Sequence, residues 1–182
     1  MATTAKADTA KKTTTKKTAA ARRTRRTNRR DPLAISLLKK DHREVAAMFD
    51  EYEQLEKDAE KLALFNKIAL ALKVHTAIEE EIFYPEERGD VEDDLMDEAY
   101  VEHDGAKKLI AEIEAMKPSE QFYDAKVKVL GEYISHHVKE EEQPGGMFSQ
   151  AKKGDEDLDA MGERMAARKE ELMAQMAPAK AN

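Results

Sequence analysis

The chain has no cysteine and no tryptophan among its 182 residues. Without cysteine there is no disulfide, no thiolate nucleophile and no sulfur-ligated metal, so any metal must sit on histidine, carboxylate or tyrosine. Glycine (seven) and proline (five) are scarce, and aromatic residues make up only 5% of the chain. No apolar run approaches the ~18 residues that span a bilayer, and the N-terminus lacks the apolar core of a signal peptide. The expectation is a cytoplasmic protein with no membrane partner. No glycine-rich phosphate loop and no nucleophile–base constellation occurs either.

What the chain does have is charge, 38% of residues, together with abundant Ala, Glu, Lys and Leu. These are helix formers, and the length fits one domain plus tails, so the expected class is all-α. The net charge of −7 hides a division: residues 1–30 carry about +10 and the remainder about −17. The first stretch, MATTAKADTAKKTTTKKTAAARRTRRTNRR, has no Leu, Ile, Val or aromatic residue. Such a segment cannot bury enough surface to offset its ordering entropy. A disordered basic tail is therefore expected over residues 1–31. Two readings of it stand side by side: an arm that neutralises nucleic-acid phosphates without sequence preference, or a solubility tail lying against the acidic body. A transit peptide fits less well, because the stretch has no apolar face.

From Asp31 onward the apolar pattern has helical period. The first stripe follows an Asp-Pro start and runs Leu38, His42, Val45, Phe49, Tyr52. The second runs Phe65, Ile68, Leu72, His75, Glu79, Ile82 and stops at Pro85; the third runs Leu95, Ala99, His103, Ala106, Ile110, Ile113. The fourth runs Tyr123, Val127, Leu130, Ile134, His137, Glu141, and a shorter amphipathic helix is expected over Asp155–Met176. Short connections predict an up-down-up-down four-helix bundle over residues 32–145, with a C-terminal helix and tail in 146–182.

Each of the four stripes contains one histidine. Two residues on antiparallel helices share a level only when the turn lies midway between them. The midpoint of His42 and His75 falls between Asp58 and Ala59, that of His75 and His103 at Gly89, and that of His103 and His137 at Glu120. All three are predicted turns, so the four histidines are expected at one level, with Glu79 and Glu141 one turn further along. The spacings of 33 and 34 residues within the two halves read as a duplicated helical hairpin. A lone histidine on an apolar stripe is ordinarily a satisfied core residue. Four at one level with two carboxylates are costly to bury without a cation, which turns the same groups into ligands. Imidazole with carboxylate suits iron, manganese or zinc, and two bridging carboxylates suit a pair of cations. His136, about 100° around its helix from His137, is expected at a helix boundary or in solvent.

The order His, His-x-x-x-Glu, His, His-x-x-x-Glu over Leu33 to Glu142 resembles bacterial hemerythrin-like proteins of the HHE cation-binding type, and LDAMGERMAARKEEL is similar to their tail helix. The resemblance implies two iron ions, oxo- or hydroxo-bridged, inside the bundle, with His42, His75, His103 and His137 as histidine ligands and Glu79 and Glu141 as bridging carboxylates. It implies dioxygen or peroxide as the small ligand. Two departures bear on the mechanism. Oxygen-carrying hemerythrins have a fifth histidine where this chain has Lys107, which leaves an additional open position and favours peroxide turnover over reversible carriage. Lys107 is read as solvated, with hydrogen bonding to a bound oxygen species as the alternative, and Tyr133 as a packing residue near the pocket. Second, EEEQPGGMF replaces the EEEIFYP of the first copy and leaves the end of the fourth helix open. The functional expectation is catalase-like peroxide removal or oxygen and iron sensing. The alternative is a nucleoid-associated protein that binds or stores iron and holds nucleic acid through residues 1–30.

Overall fold

The computed structural model describes Met1 and residues 30–176. The tail expected over residues 1–31 therefore lies almost wholly outside the described residues. The chain divides into Met1–Arg30 and Asp31–Asn182, and the second unit carries the architecture. Its elements are α1 (Leu33–Tyr52), α2 (Asp58–Ile78), a π-helical turn (Glu79–Phe83), α3 (Tyr84–Glu87), α4 (Asp93–Glu114), α5 (Tyr123–Glu142), α6 (Met147–Ala151) and α7 (Leu158–Met176). No strand occurs among the described residues; Arg88 and Val91 form an isolated bridge. α1 packs on α2, α5 and α7, α2 also on α4 and α7, and α4 on α5.

Two of the three predicted turns fall in links between helices. Gly89 lies in the link from α3 to α4 at φ +110, a left-handed conformation that favours glycine. Glu120 lies in the α4–α5 link, but the first turn comes earlier than expected: the α1–α2 link is residues 53–57, and Asp58 and Ala59 already belong to α2. One expectation is corrected: α2 does not end at Pro85. The chain continues through the π-helical turn into α3, whose first turn holds Pro85. That is where a missing N–H costs least. The C-terminal helix, expected over Asp155–Met176, runs Leu158–Met176.

The apolar core comes in two pieces. One is built from Ile35, Leu38, Ile78, Phe83, Met96 and Met161 with their neighbours. The other gathers Val45, Phe65, Ile68, Ile110, Tyr123 and Leu130. On α1 and α4 the buried polar residues fall between the two pieces, and on α2 and α5 they lie beyond Leu72 and Leu130, the last buried residues of the second piece. α7 closes the first piece with Leu158, Met161, Met165 and Leu172. It also completes the start of α1, where Pro32 offers no side-chain cap: the Leu33 N–H donates to Asp159 Oδ1 at 2.8 Å.

Glu87, at the end of α3, is fully buried, and neither carboxylate oxygen has a hydrogen-bond partner among the described residues. Burial first, then the charges of Asp90, Glu156 and Glu86, push its carboxyl up to about 7. The folded value lies above the unfolded one, so the favourable contribution is complete below the unfolded pKa and is lost as pH rises through about 7. Glu87→Gln is therefore expected to raise stability by about 1–3 kcal/mol at pH ~8, with the gain fading toward pH ~4.5. Denaturant melts of both proteins at the two pH values check this; a pH-independent difference contradicts it.

Candidate metal centre

The structure brings together the four stripe histidines and both glutamates in one buried layer. His42 Nε2 and His75 Nε2 lie 3.1 Å apart, and His103 Nε2 and His137 Nε2 lie 3.2 Å apart. The histidines thus form two pairs, one from α1 and α2 and one from α4 and α5. The glutamates tie the pairs together. Glu79 Oε2 is 3.1 Å from His75 Nε2 and 3.4 Å from His103 Nε2. Glu141 places Oε2 3.3 Å from His42 Nε2 and Oε1 3.7 Å from His137 Nε2. Two potential cation positions result, His42–His75–Glu79–Glu141 and Glu79–His103–His137, with Glu79 in both.

The donor set fits cations. Both oxygens of Glu79 and Glu141 Oε2 are buried with no hydrogen-bond partner among the described residues. An orphaned buried carboxylate costs several kcal/mol unless a positive charge compensates it. Protons fill that role in the metal-free protein. Burial favours a neutral His75 ring, but Glu79, Asp41 and Glu141 outweigh it and hold the ring's pKa up at about 10. His103 is likewise held at about 9 against its burial, by Glu79, Glu80 and Glu141. Glu79 is held well below the usual carboxylate range, its burial outweighed by His75 and His103. A cation entering this layer displaces those protons.

Each imidazole has a carboxylate at its other nitrogen. Glu142 Oε1 is 2.7 Å from His42 Nδ1, Glu80 Oε1 is 3.0 Å from His103 Nδ1, and Glu102 Oε2 is 2.7 Å from His137 Nδ1. Asp41 Oδ2 lies 3.6 Å from His75 Nδ1, a looser approach than a hydrogen bond. Such partners fix ring orientation and direct Nε2 toward a metal. Sequence reasoning missed all four, although the signal is local: Asp41 and Glu102 immediately precede His42 and His103, and Glu80 and Glu142 immediately follow Glu79 and Glu141. Each one serves the histidine of a neighbouring helix. Further cations hold two of them. Lys169 of α7 pairs with Asp41 Oδ1, and Lys107 Nζ sits 2.5 and 2.6 Å from the Glu80 oxygens. Lys107 is therefore neither freely solvated nor aimed at the pocket, because Glu80 captures it.

Tyr84 is the other residue the sequence reading passed over. Its hydroxyl donates to Glu141 Oε1 at 3.1 Å, lies 3.2 Å from His103 Nε2, and its ring stacks on His103. Burial first, then Glu79 and Glu141, push the phenol well above its ordinary range, so it keeps its proton. The π-helical turn puts it there. Tyr84 N–H bonds to the Glu79 carbonyl, five residues back, so the wider turn returns position 84 to the face that carries Glu79. The second copy has no such turn. After Glu142 the chain leaves the helix, and Phe148 of α6 stacks on His42 with ring centroids 5.8 Å apart. One side of the site thus has a phenol and the other a plain ring. Tyr133 packs against the second core piece, its hydroxyl close to Gly105, and His136 is exposed.

Access is narrow. A cavity of about 10 Å3 touches all four histidines, close to the minimum for one water. Outside it, a groove of about 850 Å3 follows the α1–α5 seam past Ala46, Phe49, Gly131 and Val138 and reaches His42. No described helix is long and apolar enough to cross a membrane.

The family described as Hemerythrin HHE cation binding domain matches residues 33–144. The crystal structure of a hemerythrin HHE cation-binding domain-containing protein from Mycobacterium kansasii is 24% identical with a TM-score of 0.66, covering 77% of this chain and 86% of that one. A protein of Nostoc sp. named DNA nickase is 28% identical over 119 residues, which are 65% of this chain. The matched region spans only about a third of that relative's length.

Proposed function

Because the chain belongs to the hemerythrin HHE cation-binding family, we propose that its buried layer holds two iron ions and uses them to bind dioxygen or peroxide, with catalase-like peroxide removal or oxygen and iron sensing as the output. One observation carries this reading: each glutamate reaches one histidine of each pair. In it, α1, the α2–α3 segment, α4 and α5 form an up-down-up-down bundle, His42, His75, His103 and His137 would hold the ions, and Glu79 and Glu141 would be shared between them. When bound, the irons supply redox equivalents and open positions for a small oxidant.

The chain's own residues do the rest. Asp41, Glu80, Glu102 and Glu142 orient the rings. Tyr84 holds a proton at its hydroxyl beside Glu141 and His103. Phe148, stacked on His42, keeps bulk water from that side. The small cavity limits the reactant to about the size of water, dioxygen or peroxide. Iron-loaded protein is expected to evolve oxygen from hydrogen peroxide, and Glu79→Ala or His103→Ala to lower the rate at least ~100-fold. An oxygen electrode measures both; undiminished turnover in the variants contradicts the assignment.

A second reading is favoured by the relative named DNA nickase and by the charge of about +10 on residues 1–30. In it the iron-binding unit is cytoplasmic and nucleoid-associated, with those residues contacting phosphates without sequence preference. A gel shift with random-sequence duplex is expected at low salt, lost at high salt and on deleting residues 1–30. No shift at low salt removes this reading.

A further inference from the structure

A second cluster of metal-ligating side chains lies outside the buried layer but touches it. Glu102 of α4 meets His136 and Glu140 of α5: His136 Nε2 is 3.6 Å from Glu102 Oε1 and 3.3 Å from Glu140 Oε1. His136 and Glu140 stand four residues apart on one helix face, and their ligand atoms and that of Glu102 could meet one ion. The His136 side chain is 58% exposed and that of Glu102 only 10%, so the cluster runs from solvent inward. At the inner end, Glu102 Oε2 contacts His137 of the buried layer. A small cavity lined by Glu102, Glu140, His137 and Glu141 joins the two sets of ligands.

An exposed His-x-x-x-Glu pair is commonly no more than a solvated face. The duplication argues otherwise. In the first copy, the positions of Glu102, His136 and Glu140 are held by Asp41, Val74 and Ile78. There Asp41 is closed off by Lys169, and Val74 and Ile78 are fully buried beneath α7. In the second copy the same three positions carry three ligands. No lysine or arginine among the described residues forms an ion pair with Glu102 or Glu140, unlike Asp41 and Glu80. The outer oxygen of Glu102 is left facing an imidazole.

We propose that Glu102, His136 and Glu140 form a third, outer site for a divalent transition metal, through which ions pass to the buried pair. The proposal rests on the reading of the buried layer as a metal centre. Imidazole with two carboxylates suits ferrous iron or zinc. The way inward is the small cavity that Glu102, Glu140, His137 and Glu141 line: Glu102 Oε1 faces His136 at its outer end, while Oε2 stays on His137 Nδ1. No redox step is involved: the ion exchanges water and outer ligands for inner ones.

The test is anaerobic titration of metal-free, full-length protein with ferrous iron, with stopped-flow measurement of filling. The parent is expected to take up three ions per chain, one of them weakly held. The doubly substituted His136→Ala, Glu140→Gln protein should take up two and fill them at least tenfold more slowly. His136 is exposed, so its loss leaves the fold intact, which melting curves verify. Two ions in both proteins, filled at the same rate, overturn the outer site and leave the buried centre standing. One ion, lost with His136, supports the outer site and removes the buried one. No uptake by either protein overturns both.

Discussion

Glu79→Ala is expected to remove metal-dependent stability altogether. Glu79 is the one residue common to both potential cation positions, and it is fully buried. Removing its carboxylate takes a ligand from each position and leaves His75 and His103 without the charge that most strongly favours their cationic forms. A ligand that binds only the folded state, present at a thousand times its dissociation constant, stabilises by about 4 kcal/mol per site. The parent should therefore gain several kcal/mol on iron loading, and Glu79→Ala almost nothing. Denaturant melts of both proteins with and without ferrous iron read this directly. His136→Ala, outside the buried layer, should keep nearly all of the gain. An equal gain in the Glu79 variant contradicts Glu79 as a shared ligand.

Gly162→Val is expected to unseat α7. A Cβ added at Gly162 would lie 2.5 Å from Leu33 Cβ and 2.6 Å from the Leu33 carbonyl carbon, and closer still to the Ala34 amide nitrogen. Those backbone atoms begin α1 and cannot give way as a flexible side chain would. α7 must move instead, which pulls Met161 and Met165, both fully buried, out of the first core piece. Overpacking of this kind costs about 3 kcal/mol, and the substitution should lower the melting midpoint accordingly. It should also reach the metal layer, since α7 carries the Lys169 that holds Asp41 beside His75. Weakened outer partners lower metal affinity about tenfold. Lys169→Ala should lower affinity without displacing Met161 and Met165, and because Asp41 is buried the loss of its partner should lower stability as well. Unchanged melting in Gly162→Val would show that α7 does not pack here as described.

The helical class and the convergence of the six residues were legible because both depend on local quantities. Helical period places His42, Val45 and Phe49 along one stripe, and turn midpoints place histidines of successive helices at one level. What escaped depends on contacts across helices. Asp41, Glu80, Glu102 and Glu142 read as ordinary surface acids in a chain with roughly one glutamate in eight residues. Only the packing of α1 with α2 and α5, and of α4 with the π-helical turn and α5, shows each at a neighbour's imidazole. Lys107 was misread for the same reason, its partner Glu80 lying 27 residues away in sequence. Tyr84 escaped because Pro85 reads as a stop, whereas the chain uses it to begin α3. A π-helical turn changes the facing of every residue after it, and no hydrophobic period announces it.

The asymmetry of the two copies bears on chemistry. A single change of backbone, the π-helical turn after Glu79, sets a phenol beside His103 and Glu141. The break after Glu142 sets a phenyl ring against His42. The four ring-orienting carboxylates are duplicated, but Lys169 and Lys107 hold only Asp41 and Glu80. The two hairpins thus supply the same histidines and glutamate twice and different surroundings for each half.

The most direct test of the account is metal content per chain: the protein is loaded with ferrous iron anaerobically, desalted to remove weakly held ions, and analysed beside Glu79→Ala. The account predicts about two tightly held irons in the parent, as two bridging carboxylates require, and close to none in the variant. A parent that retains no iron, or a variant that retains as much as the parent, would contradict it.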